Sequence, residues 1–592
     1  MGQFFKFLFA SCLGVIIATF VLFGIGSAMI GKLVADAEKP QSINPNSVLH
    51  ISLDNVIPEK TNNLEMDPTD FKNDKILGLH EIVETIENAQ SDDRIKGIFL
   101  EIDGIYAGFS TASSLQEALV EFKESGKFIV AYSKYYTQGA YYLATSADKI
   151  YLNPLGMIDF RGFSAQIPFF KEMLDNIGIK MQVFYAGKFK SATEPYRRTD
   201  MSPENRTQIR EYLDAIYGVY LDGISQNRNI SIPELKKIAD EYKASSAEDA
   251  LKYGLVDAVG YRDEALDMIR DQIGLDKGEK VHAISLRAYN KSNPPKTDYS
   301  KRNKVAVVYA EGTIIDGKSS PGSIGDNNYT KIIKRIRKDD RIKAVVLRVN
   351  SPGGSAMSSE NIWRELNLLK ETGKPLVVSM GDYAASGGYY IACNADSIYA
   401  QSNTLTGSIG VFSMIPSASK LMNDKIGISF DTVKTGKFSH GISPFYDITE
   451  EEGRILQART NQMYETFLKR VADGRGMTRD EVHEIAQGRV WTGDKAKTLG
   501  LVDQVGDLDN AIAAAANMAE LDEYRISEYP ATKDPIMQIL EEFLGEEDIT
   551  KSRSNAMLKT QLGELYPYYE QVKTIQEFKG TQARLPFFVP FK

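Results

Sequence analysis

Gly381-Asp382-Tyr383-Ala384-Ala385-Ser386-Gly387-Gly388-Tyr389-Tyr390 joins an apolar run, Pro375-Leu376-Val377-Val378-Ser379-Met380, to a segment from Tyr389 to Ala395 that suits the first turns of a helix. The run before it suits a buried strand, and the two glycines after Ser386 let another backbone come close. A serine at such a turn has its hydroxyl at the positive end of a helix dipole, beside backbone N–H groups that can hold a developing oxyanion. The same residues also suit a serine that only caps a helix. What separates the two readings lies elsewhere in the chain.

Much of the chain is written twice, with a period of about 250 residues. Asp92-Asp93-Arg94-Ile95-Lys96 recurs as Asp339-Asp340-Arg341-Ile342-Lys343, and Tyr141-Tyr142-Leu143-Ala144 as Tyr389-Tyr390-Ile391-Ala392. Gly187-Lys188-Phe189 recurs as Gly436-Lys437-Phe438, and Gly254-Leu255-Val256-Asp257 as Gly500-Leu501-Val502-Asp503. Four blocks in one order imply two similar domains, at 45–284 and 304–525, joined by a polar, proline-bearing linker within 285–303. In each copy strand-like runs such as Ile98–Ile102 and Val345–Val349 alternate with helical ones such as Leu115–Phe122 and Asn361–Leu369. That alternation predicts an α/β fold with largely parallel sheets covered by helices.

The copies differ where chemistry is expected. Aligned on the tyrosine pair, Ser386 faces Gln138; Asn350-Ser351-Pro352-Gly353-Gly354-Ser355, read as a turn after a strand, faces Asp103-Gly104-Ile105-Tyr106-Ala107-Gly108. Aligned on Gly-Lys-Phe, Lys190 faces Ser439, so the copy that owns the serine lacks the lysine. A serine hydroxyl needs a base to attack a carbonyl, and lysine serves if burial holds it neutral. The pattern is that of a split site, with nucleophile and glycine pair in the second domain and base in the first. Lys188, matched by Lys437, reads as framework or solvated. The competing base would be a histidine; of His50, His80, His282, His440 and His483, only His440, beside Ser439, stays in view.

Other properties bound the answer. At 592 residues the chain exceeds one hydrophobic core, and 43% hydrophobic with 25% charged residues is ordinary for globular proteins. A formal charge of −9 without a long basic block argues against nucleic acid as a partner. Two cysteines, Cys12 and Cys393, leave no disulfide framework and no metal cluster to expect. Residues 7–31 carry no charge and are long enough to span a bilayer. Ala35-Asp36-Ala37 resembles a signal-peptidase site, but the apolar run is too long for a usual signal core and Lys32 interrupts it, which favours a retained anchor. The flanking charges differ little and lean toward an amino end in the cytoplasm.

Taken together, Asn350-Ser351-Pro352-Gly353-Gly354, the Asp382–Tyr390 stretch, Gly187-Lys188-Phe189-Lys190-Ser191-Ala192 with Glu194-Pro195, and Thr406-Gly407-Ser408-Ile409-Gly410 resemble the signal peptide peptidase A (protease IV) family in its long, tandem-domain form. The resemblance runs from the N-terminal anchor to about residue 525. It implies two tandem domains like crotonase and Clp protease behind a transmembrane helix. It also implies a Ser-Lys endopeptidase that needs no metal or cofactor and degrades cleaved signal peptides and other short apolar peptides. By motif, Ser386 is then the nucleophile and Lys190 the general base. Gly353 and Gly387 are the oxyanion donors through their N–H groups, and Ser408 orients Lys190. The resemblance further implies a bilayer-bound, ring-like homo-oligomer such as a tetramer, in a bacterial cytoplasmic membrane with its soluble domains on the periplasmic side. Two other classes stay open: an acyl-CoA hydratase or isomerase of the same fold, which needs neither Ser386 nor Lys190, and an inactive membrane scaffold. Residues 526–592 lie outside the resemblance. Pro535–Leu544 reads as an amphipathic helix, and the apolar end Leu585–Phe591 reads as packed on a neighbouring domain or subunit.

Overall fold

The computed structural model describes residues 40–63, 76–295, 298–531 and 580–585, with runs of one to three residues elsewhere. Most of the expected anchor at 7–31 and the expected helix at Pro535–Leu544 lie outside the described residues. Among the described residues no helix is long and apolar enough to cross a membrane.

The first half contributes strands β1 (Ser47–Ile51), β2 (Ile95–Glu101), β3 (Phe128–Ser133), β4 (Lys149–Leu152), β5 (Lys180–Ala186), β6 (Ala258–Val259) and β7 (Ala283–Ser285). All but β5 form one parallel sheet in the order β6-β4-β3-β2-β1-β7. Parallel neighbours need crossover connections, and helices such as Leu79–Ser91 and Phe109–Glu124 supply them. Both faces of the sheet are covered, which is why β2 reads Ile-Lys-Gly-Ile-Phe-Leu-Glu, nearly continuous apolar, rather than alternating.

The second half repeats the plan with β8 (Lys304–Glu311), β9 (Thr313–Ile315), β10 (Ser323–Gly325), β11 (Ile342–Ser351), β12 (Gly353–Ser355), β13 (Leu376–Ala385) and β14 (Ser397–Ala400). It continues through β15 (Leu405–Gly407), β16 (Val411–Ser417), β17 (Val490–Thr492), β18 (Gln504–Val505) and β19 (Arg525–Tyr529). Its main sheet runs β17-β15-β13-β11-β8-β19, with β14 and β18 branching from β13. That sheet extends to Tyr529, past the boundary expected at 525.

The blocks that recur in the sequence make the same contacts in both halves. Tyr141 donates its hydroxyl to Leu255 O and Tyr389 to Leu501 O, each at 2.8 Å. Asp257 accepts from Ile150 N and Asp503 from Ile398 N, again each at 2.8 Å. These pairs tie the helix after the central turn to the far strand, so they belong to the framework of each domain.

A third sheet, β10-β9-β12-β20-β16-β5, joins the halves; β20 is the C-terminal Gln582–Arg584. In it β5 of the first half runs antiparallel to β16 of the second over seven paired positions, Ala186↔Val411 through Lys180↔Ser417. Gly353–Ser355, read from sequence as part of a turn, is a strand, because its glycines expose bare backbone that pairs with β9 and β20. Buried polar contacts lock the same junction. The Arg348 guanidinium, 3% exposed, forks onto Glu59 at 2.8 and 3.1 Å, while Asp382 accepts from Thr111 N at 3.0 Å and Thr111 Oγ1 at 2.8 Å. Leu585 is buried in the first half's core cluster, beside Tyr383 and Leu405 of the second, so this part of the apolar end is packed inside the chain.

Candidate active site

β13 carries the apolar run up to Ala385, and the helix Gly387–Ala392 starts two residues later, so Ser386 alone must turn the chain. It does so with φ 56° and ψ −113°. A non-glycine residue held there costs about 1–3 kcal/mol, and such strain persists where the surroundings over-determine it. The surroundings do: Ser386 N donates to Gly407 O at 2.8 Å, and Ser386 O accepts from Tyr390 N at 2.8 Å. The side chain does not cap the helix. The capping reading of Ser386 is therefore replaced by that of an aimed hydroxyl.

Lys190 follows β5 at the end of the Gly187-Lys188-Phe189 turn, and the second half closes over it. Phe189 N donates to Gln487 O at 2.9 Å, and a methyl group built on Gly488 would stand 2.7 Å from Lys190 Cα and Cβ. The lysine is 1% exposed and its Nζ stands 2.9 Å from Ser386 Oγ. Ser408 lies on the other side, its Oγ 3.0 Å and its carbonyl oxygen 3.4 Å from the same nitrogen. Burial pushes the Lys190 ammonium well below a lysine's usual value. As the contacts stand, Lys190 Nζ donates to Ser386 Oγ, Ser408 Oγ and Ser408 O, and the Ser386 hydroxyl donates to Gly410 O at 3.4 Å.

The two glycines marked as oxyanion donors converge beside the hydroxyl. Gly387 N is the first N–H of its helix, without an intrahelical acceptor. Gly353 has φ 94°, and a methyl group built on it would lie 2.7 Å from Gly387 N, so only glycine allows the two backbones to meet. Gly353 N donates to Ser351 Oγ at 3.2 Å, a long contact that a better acceptor can displace.

Of the residues singled out from sequence, the structure brings together Ser386, Lys190, Ser408, Gly353 and Gly387. It keeps His440 elsewhere, 3.6 Å from Glu452 and edge-on to Tyr446. Lys188 and Lys437 are both exposed and each lies over the phenylalanine that follows it, at 5.4 and 5.5 Å. Sequence reading missed Gln208. Its Nε2 donates to Phe189 O at 3.2 Å and Ser191 Oγ at 2.9 Å, while its Oε1 accepts from Val490 N of the other half at 3.3 Å. It lies buried on the long helix Pro203–Arg228 with Asn205, in a run of polar residues from Glu204 to Gln208 where no sequence signal sets it apart. Asp382 was quoted only as part of a motif; its contact with Thr111 fastens the first half's helix Phe109–Glu124 beside the serine turn.

Comparison with known proteins identifies the family. The model of peptidase family S49 matches residues 121–276 and again 368–522. The chain is 38% identical over 451 residues to a Haemophilus influenzae protein named Protease 4, covering 75% of this chain and 73% of that one. It is likewise 38% identical over 472 residues to Protease 4 of Salmonella typhi, covering 78% and 75%. To a chloroplastic protein of Arabidopsis thaliana named Serine protease SPPA it is 33% identical over 453 residues, covering 75% of this chain and 66% of that one. With the family model matched in both halves and relatives aligned over most of their length, the chain belongs to peptidase family S49.

Proposed function

We propose that this chain is a serine endopeptidase in which Ser386 is the nucleophile and Lys190 the general base. The observation that carries the reading is a fully buried amine with no carboxylate partner among its contacts, 2.9 Å from a hydroxyl on a strained turn. Neutral Lys190 takes the Ser386 proton as Oγ attacks a peptide carbonyl, then gives it to the leaving amine; a water molecule repeats the cycle on the ester. Gly353 N and Gly387 N hold the oxyanion, and Ser408 aims the amine. The labour is divided between domains at 45–284 and 304–525, the first supplying the lysine and the second the serine. Neither a hydratase nor a scaffold needs such a pair.

The substrates we infer are cleaved signal peptides and other short apolar peptides, which would pair with β12 along the side that β20 takes in the structure. One relative is named a putative signal peptide peptidase. We also infer a bacterial cytoplasmic-membrane enzyme anchored by residues 7–31, with periplasmic domains assembled as a homo-oligomer. The deciding experiment is cleavage of an apolar peptide by the purified protein, with Ser386→Ala as control, together with labelling by a fluorophosphonate. Label on Ser386 and loss of cleavage in the variant are expected. Equal cleavage by Ser386→Ala would falsify the assignment.

A further inference from the structure

The helix Asp326–Lys338 of the second half carries a cationic stripe. Lys331, Lys334, Arg335 and Lys338 stand three or four residues apart, so they share one face, and all four are exposed. Tyr329, Ile333 and Ile336 fill the opposite, buried face. Arg302, exposed at the entry to β8, lines the same shallow recess as the stripe. The carboxylates there are Asp339 and Asp340. Asp339 is taken by Arg341 at 2.9 Å and by Lys304 at 3.8 Å, which leaves Asp340 facing Arg302 and the four cations of the stripe. None of these five has a carboxylate partner among the described residues.

The first half supplies a comparison within the chain. Its helix Leu79–Ser91 has the same length and buries the equivalent face through Ile82, Ile86 and Ala89, yet at the four stripe positions it carries Glu84, Glu87, Asn88 and Ser91. The fold needs the apolar face and not the charge. Attraction to the carboxyl end of the helix accounts for Arg335 and Lys338 in the last turn, but not for Lys331, Lys334 or Arg302. In a chain of formal charge −9, such a concentration of positive charge marks a surface for an anionic partner.

We propose that this face docks on the anionic phospholipid headgroups of the bilayer that holds the anchor. The proposal rests on the reading of residues 7–31 as that anchor. Residues 32–46 join it to β1 and reach at most about 50 Å when extended, so both halves stay beside the bilayer. The tether enters the first sheet at its amino end, and the stripe runs towards the amino ends of β8 and β11, the strands of the second half that match β1 and β2. Each such cation strengthens attachment to an anionic surface about fivefold. Two attachments, tether and stripe, fix how the molecule stands on the membrane. A tether alone leaves it free to turn.

The test is lysine acylation by a membrane-impermeant succinimidyl ester, read by mass spectrometry on the full chain reconstituted into vesicles of phosphatidylcholine, without or with phosphatidylglycerol. Measured against exposed Lys236, the lysines Lys331, Lys334 and Lys338 should react about fivefold more slowly in the anionic vesicles than in the neutral ones. High salt should remove the difference, because it screens the surface charge. Arg302→Glu with Arg335→Glu keeps the three reporting lysines and should cut the slowing to less than about twofold, with melting temperature and peptide cleavage in detergent unchanged. Equal reactivity in the two kinds of vesicle overturns the proposal. Slowing that appears in detergent, or equally in both vesicles, and grows with protein concentration places a second copy on this face and also overturns it. Flotation with phosphatidylcholine vesicles in high salt tests the anchor separately. Wild type that floats but shows no slowing overturns docking and leaves the anchor standing, whereas wild type that does not float overturns the anchor and the proposal with it.

Discussion

At the same place in the two halves stand Ser386 and Gln138, each opening the helix that carries the tyrosine pair. Around them the framework is shared, down to the equal hydrogen bonds of Tyr141 and Tyr389. The residues themselves behave oppositely. Gln138 is an ordinary helical residue whose amide bridges one loop, its Nε2 donating to Gly162 O at 3.0 Å and its Oε1 accepting from Gly162 N at 2.9 Å. Ser386 sits at φ 56° with its Oγ 2.9 Å from Nζ of the other half's lysine. Satisfied polar groups hold a fold together, whereas a strained residue facing a buried, uncompensated amine stores free energy that folding alone has no use for. The difference teaches which copy was left free to become framework and which kept the chemistry.

The largest effect expected follows from that pair. Ser386→Ala and Lys190→Ala should each lower kcat by several orders of magnitude, because the members of such a unit fail together. The lysine also fixes the pH dependence. Its value is lowered by burial, so at low pH it is protonated and cannot accept the serine proton; kcat/KM should rise with pH through a midpoint well below an ordinary lysine's. Between the folded and unfolded values the unfolded chain binds the extra proton, so stability rises with pH in that window. Lys190→Met should remove this dependence in thermal melts, and should gain about 1.4 kcal/mol at low pH for each unit by which burial lowers the value. A midpoint near the usual histidine value that vanishes in His440→Ala would break the comparison.

Next in size is the oxyanion contact. Gly353→Ala puts a methyl group 2.7 Å from Gly387 N, so the two donors can no longer converge. Loss of about 10²–10³ in kcat is expected from steady-state kinetics, the usual cost of one such donor. The corresponding first-half change, Tyr106→Ala, should leave kcat within a few-fold, since Tyr106 is exposed and its half lacks the serine.

Much of this was legible in the sequence because duplication supplied its own control. The shared blocks named the framework, and the mismatches Ser386/Gln138 and Lys190/Ser439 named the two side chains that the fold brings within 2.9 Å. Ser408 was reached only through family resemblance: a serine between two glycine-containing turns says nothing about an amine 3.0 Å away. Two features were beyond sequence pattern altogether. The third sheet is built from β5, β9, β10, β12, β16 and β20, which come from both halves and the C-terminus, and no local pattern specifies partners so distant in the chain. Gln208 acts through contacts to residues that are distant in the chain, and one buried glutamine looks like any other.

Gln208 therefore offers a smaller and sharper test of how the halves are joined. Gln208→Ala leaves Phe189 O and Val490 N without their amide partner on either side of the lysine turn. The cost is about 1–3 kcal/mol of stability if those groups stay unsatisfied. About a tenfold fall in kcat with KM nearly unchanged is expected, together with a displaced pH midpoint as Lys190 shifts against Ser386. A purely structural role would lower the melting temperature and leave the midpoint where it was, and Gln208→Glu should recover only part of the rate.

The smallest effect is the most informative about the two copies. Gln138→Ser, placed in a Ser386→Ala chain, should restore no peptide cleavage and take up no fluorophosphonate. The new serine would sit inside a helix rather than on a turn with positive φ, so its hydroxyl would not be aimed out of the helix. The base facing it would be Ser439, which is exposed and donates its hydroxyl to Gly436 O at 2.9 Å. In place of the glycine pair stand Tyr106 and Ala107, so the bare backbone of the second half has no counterpart there. Adding Ser439→Lys should not help either, because an amine at an exposed site stays protonated at neutral pH. Any recovered, label-sensitive activity in these variants would mean that the first half retains a working oxyanion site, and that the copies diverged in their side chains alone.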